Sequence, residues 1–157
     1  MDAIGPGYPA AVDRKDLAIV AALQEDARAT YAQIGGRVGL SASSVHDRVR
    51  KLEDRGVIRG YGASVNPEAL GLAVTALISI MPLDPKQPDD LPERVIGFPE
   101  IQDCYSVAGA ENYVLKVRTK TTADLEDLLR RLRETAGVQT RTTVVLSTPF
   151  EDRPVTP

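Results

Sequence analysis

Tryptophan is missing from these 157 residues, and there are only two phenylalanines, one cysteine and one histidine. Without aromatic bulk, any core must be built from Leu, Val, Ile and Ala. The single cysteine, Cys104, excludes a disulfide within the chain. With His46 as its lone histidine, one copy cannot assemble a Cys/His metal site, so no metal and no cofactor are expected. Long apolar runs are also missing. The longest, Leu70 to Met81, is broken by Gly71, Thr75 and Ser79 and alternates like a strand, which excludes a membrane span. The first residues lack a basic stretch followed by an apolar core, so no secretory leader is read and a cytoplasmic location is expected. There is no P-loop, no dinucleotide fingerprint and no G-x-S-x-G elbow, and His46 has no evident acid or nucleophile partner. Enzymatic function is therefore not expected.

Charge is modest overall, at −3, and uneven. Residues 1–66 carry nine Lys/Arg against eight Asp/Glu, and the remainder is acidic. Between Arg37 and Tyr61 there are six basic and three acidic residues. A local basic stripe in an acidic chain suits contact with one site on double-stranded DNA better than coating of nucleic acid in bulk.

Helix signals are dense in the first half. Residues 1–12 hold two Gly and two Pro and read as a flexible tail. Asp13 and Asp16 form an acidic capping box ahead of a first helix to about Glu25, with Leu17, Val20, Ala21 and the Ile19/Leu23 pair as its apolar stripe. Thr30 and Gln33 cap a second helix, YAQIGGRV. Gly35 and Gly36 inside it each cost about 1 kcal/mol against Ala, a cost that close helix packing can offset. Gly39 makes the turn and Ser41 caps a third helix. There, Val45, Val49 and Leu52 face inward, while Ser43, Asp47, Arg50, Lys51 and Asp54 face away, flanked by Ser44 and His46. Gly56 ends it in a left-handed cap. Val57 to Val65 reads as a strand, and Asn66-Pro67 closes it. This order predicts a helix-turn-helix over 13–56 with a wing or linker strand over 57–71.

Residues 72–148 read as strand, helix, strand, strand, helix, strand: Leu72–Met81, Leu91–Phe98, Ile101–Val107, Tyr113–Thr119, a helix capped by Thr121 and Asp124, and Val138–Leu146. The last helix puts Leu125, Leu128, Leu129 and Leu132 on one face. The order matches a ferredoxin-like βαββαβ unit, giving an α+β chain. One sheet face, with Leu77, Val114 and Val145, is left uncovered, which predicts a homodimer. Residues 149–157 read as a second flexible tail.

Two stretches carry a family resemblance: DRKDLAIVAALQEDARATYAQIGGRVGLSASSVHDRVRKLEDRGVIRGYGASVNPEALG and, more loosely, YSVAGAENYVLKVRT through VQTRTTVVL. Together they resemble the Lrp/AsnC family of feast/famine transcriptional regulators from about Asp13 to Ser147. The block GLSASSVHDRVRKLEDRGVIRGY is the most specific part. The resemblance implies a winged helix-turn-helix joined to a ferredoxin-like, RAM-type domain. It further implies dimers that assemble to octamers and a small effector, usually an amino acid, bound between C-terminal domains. It places the effector loop at Gly109, Ala110, Glu111, Asn112 and Tyr113, with Thr140 and Thr142 as further polar candidates. Family members commonly carry Asp where this chain has Asn112. Either Glu111 supplies that charge, or the ligand differs, or binding is lost.

For DNA, the N-terminus of the third helix offers Ser41, Ser43 and Ser44 to phosphate oxygens. Arg50 and Lys51 offer outward charge, and Arg grips guanine in a bidentate manner. Arg48 lies on the core flank, where a phosphate contact and an internal ion pair are both open. Asp47 can accept from cytosine or orient Arg50 or Lys51. His46 contacts DNA or is solvated, and Arg59 reaches the backbone from the wing. By itself such a stripe is an ordinary solvated helix face; the capped-helix order and the family pattern favour DNA. Two functions remain: an effector-responsive, sequence-specific regulator, or an architectural protein that wraps DNA without a ligand.

Overall fold

A computed structural model of the chain describes residues 12–84, 86 and 90–155. The expected N-terminal tail, apart from Val12, lies outside the described residues, as does part of the connector before residue 90. The chain forms two compact units: the described residues of Met1–Ser64 and Phe150–Pro157, and those of Val65–Pro149.

In the first unit, α1 spans Arg14–Glu25, α2 Tyr31–Val38 and α3 Ala42–Asp54. Each begins where a short polar side chain accepts from an orphan backbone N–H. Asp13 Oδ1 accepts from the Asp16 N–H at 2.8 Å. Thr30 and Gln33 form a reciprocal capping box, and Ser41 accepts from the Ser44 N–H at 3.2 Å. Between α2 and α3, Gly39 takes a left-handed φ of 67°, the conformation that turns the chain sharply at least cost to glycine.

The core of this unit joins Ile19, Ala22 and Leu23 of α1 to Ile34 and Val38 of α2 and Val45, Val49 and Leu52 of α3. Each large aliphatic residue fully buried there contributes about 1.5–3 kcal/mol. The inward face of α3 is the predicted one. The α1 stripe is corrected: Asp16, Ile19, Ala22 and Leu23 are buried, whereas Ala21 is exposed and Leu17 and Val20 are half-buried. Asp16 displaces the apolar register because its carboxylate has a cationic partner inside the unit.

The strand expected over Val57–Val65 does not form: no strand is assigned there. Backbone N–H and C=O groups make a strand only against a second strand, and no described segment of this chain supplies one. Val57 and Ile58 instead return to α3, their N–H groups donating to the Leu52 carbonyl at 2.9 and 3.1 Å. The C-terminal segment, expected to be loose, is also tied down. Gln24 Nε2 donates to the Val155 carbonyl at 3.2 Å, and the Val155 N–H donates to Gln24 Oε1 at 2.7 Å. One side-chain amide thereby matches a backbone donor and acceptor at once.

The second unit opens with a 3₁₀ turn at Glu68–Leu70. It continues as β1 Val74–Pro82, α4 Leu91–Val95, β2 Ile101–Ser106, β3 Tyr113–Thr119, α5 Thr122–Ala136 and β4 Val138–Val144. The strand order is β2-β3-β1-β4, with every neighbouring pair antiparallel. This is the ferredoxin-like arrangement that the βαββαβ pattern predicts. The first helix of the unit is shorter than expected and stops before Gly97 and Pro99, and β4 ends two residues early.

Strand periodicity divides the sheet. Ala76, Ile78 and Ile80 of β1 and Tyr113, Leu115 and Val117 of β3 are buried with Leu125, Leu128, Leu132 and Ala136 of α5 and Leu91 and Val95 of α4. Leu77 and Tyr105, on the opposite face, are exposed large hydrophobics among the described residues.

Candidate nucleic-acid interface and effector loop

α3 presents a sharply divided surface. Val45, Val49 and Leu52 are fully buried, while Ser43, Ser44, His46, Asp47, Arg50 and Lys51 are all exposed. At its N-terminus, Ser41 Oγ lies 2.8 Å from Ser44 Oγ and 3.1 Å from Ser43 Oγ. Three hydroxyls thus gather where the backbone N–H groups emerge, a ready place for a phosphate oxygen. Among the described residues, Arg50, Lys51 and Arg59 make no ion pair with protein carboxylates. Their charge is directed to solvent and is available to an anionic partner.

His46 is placed differently. Its Nδ1 lies 3.4 Å from Asp47 Oδ1, and its ring meets the Tyr31 ring edge-on at 5.5 Å between centroids. It sits at the junction of α2 and α3.

Arg48, on the core flank of α3, is engaged by carboxylates of its own unit. Its guanidinium donates to Asp13 Oδ2 at 2.7 Å and to Asp16 Oδ1 at 2.6 Å. The Asp16 side chain is only 12% exposed, so this pair joins α3 to α1 inside the unit. The internal ion pair, one of the two readings the sequence left open, is present. Hydrogen bonds from Arg48 to Asp13 and then Asp16 raise the guanidinium's pKa above its ordinary value. Asp13's carboxyl is held below its usual range, first by the Asp16 backbone N–H and then by Arg48.

Behind α3, Tyr61 caps the same arrangement. Its hydroxyl donates to Glu53 Oε1 at 2.8 Å. Desolvation, and secondarily the Glu53 carboxylate, push the phenol up to about 12. Tyr61, Tyr31, Leu23, Ala27, Ala29 and Thr30 line an open cleft of about 430 Å³.

The second site is the loop between β2 and β3. The Val107 N–H donates to the Asn112 carbonyl at 3.0 Å, and the Asn112 N–H donates to the Ile80 carbonyl at 3.3 Å. These bonds fold 107–112 into a cup against the end of β1. Ser106, Val107, Ala108, Gly109, Glu111, Asn112 and Tyr113 line a hollow of about 240 Å³. Ala110, expected among them, is not part of the lining.

The loop gathers most of its predicted residues, but not the threonines. Thr140 pairs with Ile80 and Thr142 with Ile78, so both share the helix-covered face of the sheet. Arg141, between them, points to the open face and forms an ion pair with Glu111. Sequence reasoning missed Arg141. It lies 30 residues from Glu111, and only the β1–β4 register brings the two together. Among the described residues no group of His, Cys, Asp and Glu is arranged to hold a metal ion. No described helix is long and apolar enough to cross a membrane.

Residues 12–53 match the AsnC-type helix-turn-helix domain, and 74–155 match the Lrp/AsnC ligand binding domain. The chain is 51% identical to the HTH-type transcriptional regulator LrpA of Mycobacterium tuberculosis, across 91% of this chain and 95% of that protein. Its fold superposes with a TM-score of 0.92, at 50% identity, on a feast or famine regulatory protein from M. tuberculosis complexed with L-methionine, covering 94% of this chain and 100% of that one. It superposes with a TM-score of 0.79, at 29% identity, on an L-methionine complex of a transcriptional regulator from Neisseria meningitidis, covering 90% and 94% of the two chains. The two matched domains lie in one chain, in the order that unites a DNA-binding element with a ligand-binding one. The chain belongs to the Lrp/AsnC family of transcriptional regulators.

Proposed function

We propose that this regulator places α3 in the major groove of a specific operator and that an amino acid held at the 107–112 loop alters its assembly or DNA affinity. The observation that carries the reading is the division of labour on α3. Arg48 pairs with Asp13 and Asp16, while Arg50 and Lys51 are exposed and make no ion pair among the described residues. Phosphate contacts from Ser43, Ser44, Lys51 and Arg59 fix position, and Arg50, Asp47 and His46 reach base edges. The chain acts by binding, without turnover of its effector, and works in the cytoplasm.

Two copies are proposed to bury their open sheet faces, which carry Leu77 and Tyr105, against each other. Such dimers then assemble further, to an octamer. Recognition helices of one dimer would meet half-sites about one helical turn of DNA apart, or a multiple of it. An effector moves this system only if it prefers one assembly over another. L-methionine is a first candidate, because the M. tuberculosis and N. meningitidis proteins named above are complexed with it.

The test is footprinting on the promoter of the protein's own gene with each of the twenty amino acids. A bounded footprint whose strength or extent changes with one of them supports the reading. Equal protection of unrelated sequences at matched salt, unaffected by every amino acid, supports the architectural alternative.

A further inference from the structure

The cleft of about 430 Å³ in the first unit has no part in the DNA or effector reading. Its lining, Leu23, Ala27, Ala29, Thr30, Tyr31 and Tyr61, carries no charged side chain. Tyr31 is 37% and Tyr61 52% exposed, so two aromatic rings stand partly in solvent beside aliphatic neighbours. Both tyrosines also touch α3. The Tyr31 ring meets His46 edge-on, and the Tyr61 hydroxyl donates to Glu53. The Tyr31 hydroxyl makes no hydrogen bond among the described residues.

The chain supplies a segment of matching chemistry. Eleven residues precede Val12, whose side chain packs against the core of the same unit. Their sequence, MDAIGPGYPAA, has one charged side chain, Asp2, and contains the spacing Pro6-Gly7-Tyr8-Pro9. Prolines three residues apart share one face of a polyproline II helix, which has three residues per turn. Such a helix makes no internal hydrogen bonds, and its proline-bearing face docks in grooves lined by aromatic rings. Its free carbonyls can accept from the Tyr31 hydroxyl. Reach is sufficient as well. Eleven residues of polyproline II span about 34 Å, whereas α1, which carries the chain from Val12 to Leu23, is about 18 Å long.

We propose that residues 4–9 dock, as a polyproline II segment, in the tyrosine-lined cleft of their own chain. Pro6 and Pro9 pack on the Tyr31 and Tyr61 rings, and a backbone carbonyl of the segment accepts from the Tyr31 hydroxyl. Removal of apolar surface from water drives the contact, and neither the lining nor residues 4–9 bring a charged side chain to desolvate. Proline limits the freedom lost on docking, because its φ is already fixed. The tether matters too: a segment joined to its site by a short linker sits at an effective concentration on the order of millimolar, so weak contacts suffice. Docked there, the segment braces two side chains that contact α3.

The experiment places the photo-reactive residue p-benzoylphenylalanine at position 8 of the full chain. Isotopically heavy and light protein are refolded together and irradiated, and the adducts are mapped by mass spectrometry. The proposal expects adducts on Leu23, Ala27, Tyr31 or Tyr61 that join peptides of one isotope. The double variant Pro6→Ser/Pro9→Ser, which lacks the polyproline preference, should lose them. Hydrogen exchange on the chain without the photo-reactive residue supplies a second readout. The amides of residues 26–31 should exchange faster in Pro6→Ser/Pro9→Ser than in the parent, while those in the core of α1 keep their rates. Adducts that join heavy to light chains would give the cleft to the segment of a second copy and overturn the proposal. Adducts away from the cleft, or exchange at 26–31 that the proline substitutions leave unchanged, would overturn it as well.

Discussion

Arg48 Nη1 lies 2.6 Å from Asp16 Oδ1, so a residue of the recognition helix neutralises a buried carboxylate of α1. α3 thus carries two arginines two residues apart, on opposite sides of the helix, with different surroundings. Arg48 ties α3 to α1 through Asp13 and Asp16, and Arg50 is exposed.

Separable phenotypes follow. Arg48→Ala strands Asp16 without its cation, so the denaturant midpoint, followed by circular dichroism, falls. Arg50→Ala leaves that midpoint nearly unchanged and weakens specific DNA binding by about 1–3 kcal/mol. Lys51→Ala weakens binding to all sequences alike and lowers the salt slope by about one. If Arg50→Ala binds operator DNA as tightly as the parent, the proposed orientation of α3 is wrong.

The paired glycines of α2 are expected to part company. A Cβ on Gly35 would come to 2.5 Å from the Leu40 carbonyl oxygen, a backbone atom that cannot move aside without deforming the turn. Gly35 also holds that turn by accepting from the Leu40 N–H at 3.0 Å. A Cβ on Gly36 would meet nothing within 4 Å. Gly36→Ala should therefore stabilise the protein by about 0.5–1 kcal/mol through helix propensity alone. Gly35→Ala should destabilise it by about 1–3 kcal/mol, the scale of overpacking. Urea unfolding of the two variants side by side measures both signs.

Acid sensitivity should reside partly in Asp13. Its folded pKa lies below the unfolded value of 3.8, owing to the Asp16 N–H and Arg48. The group therefore stabilises the fold above 3.8, and that contribution disappears as pH falls through the lower folded value. Asp13→Asn should be less stable than the parent at neutral pH and should converge with it in acid. A constant gap from about pH 6 down to about pH 2 would contradict the assignment.

At the other end of the scale, Tyr61 titrates near 12 rather than 10. A phenol whose folded pKa is raised contributes stability present below pH 10, which is lost as pH rises towards the folded value. The difference in stability between the parent and Tyr61→Phe should therefore shrink across that window. Spectrophotometric titration should show one tyrosine ionising after the others, and Tyr61→Phe should remove that late step.

What the sequence made legible was local. Ser41, Thr30 and Thr121 announced helix starts because a cap is written in two or three neighbouring residues. The order of strands and helices followed from periodicity. What it hid was set by partners distant in the chain. Val57 to Val65 has the composition of a strand, but a strand needs a neighbour, and composition cannot supply one. Asp16 looked like a capping residue and serves Arg48 instead. Thr140 and Thr142 shared the polarity of ligand contacts, yet the register turns them to the covered face and brings Arg141 to Glu111. The loop itself was legible through the family pattern, whereas its electrostatic counterpart was visible only once β4 was in place.

The most direct test of the whole account is sedimentation velocity on the full chain with labelled DNA from its own promoter, with and without free amino acids. The account predicts a discrete protein–DNA assembly, absent on scrambled DNA, whose size or stability shifts when one amino acid is added. Identical sedimentation on both DNAs, with every amino acid, would contradict it.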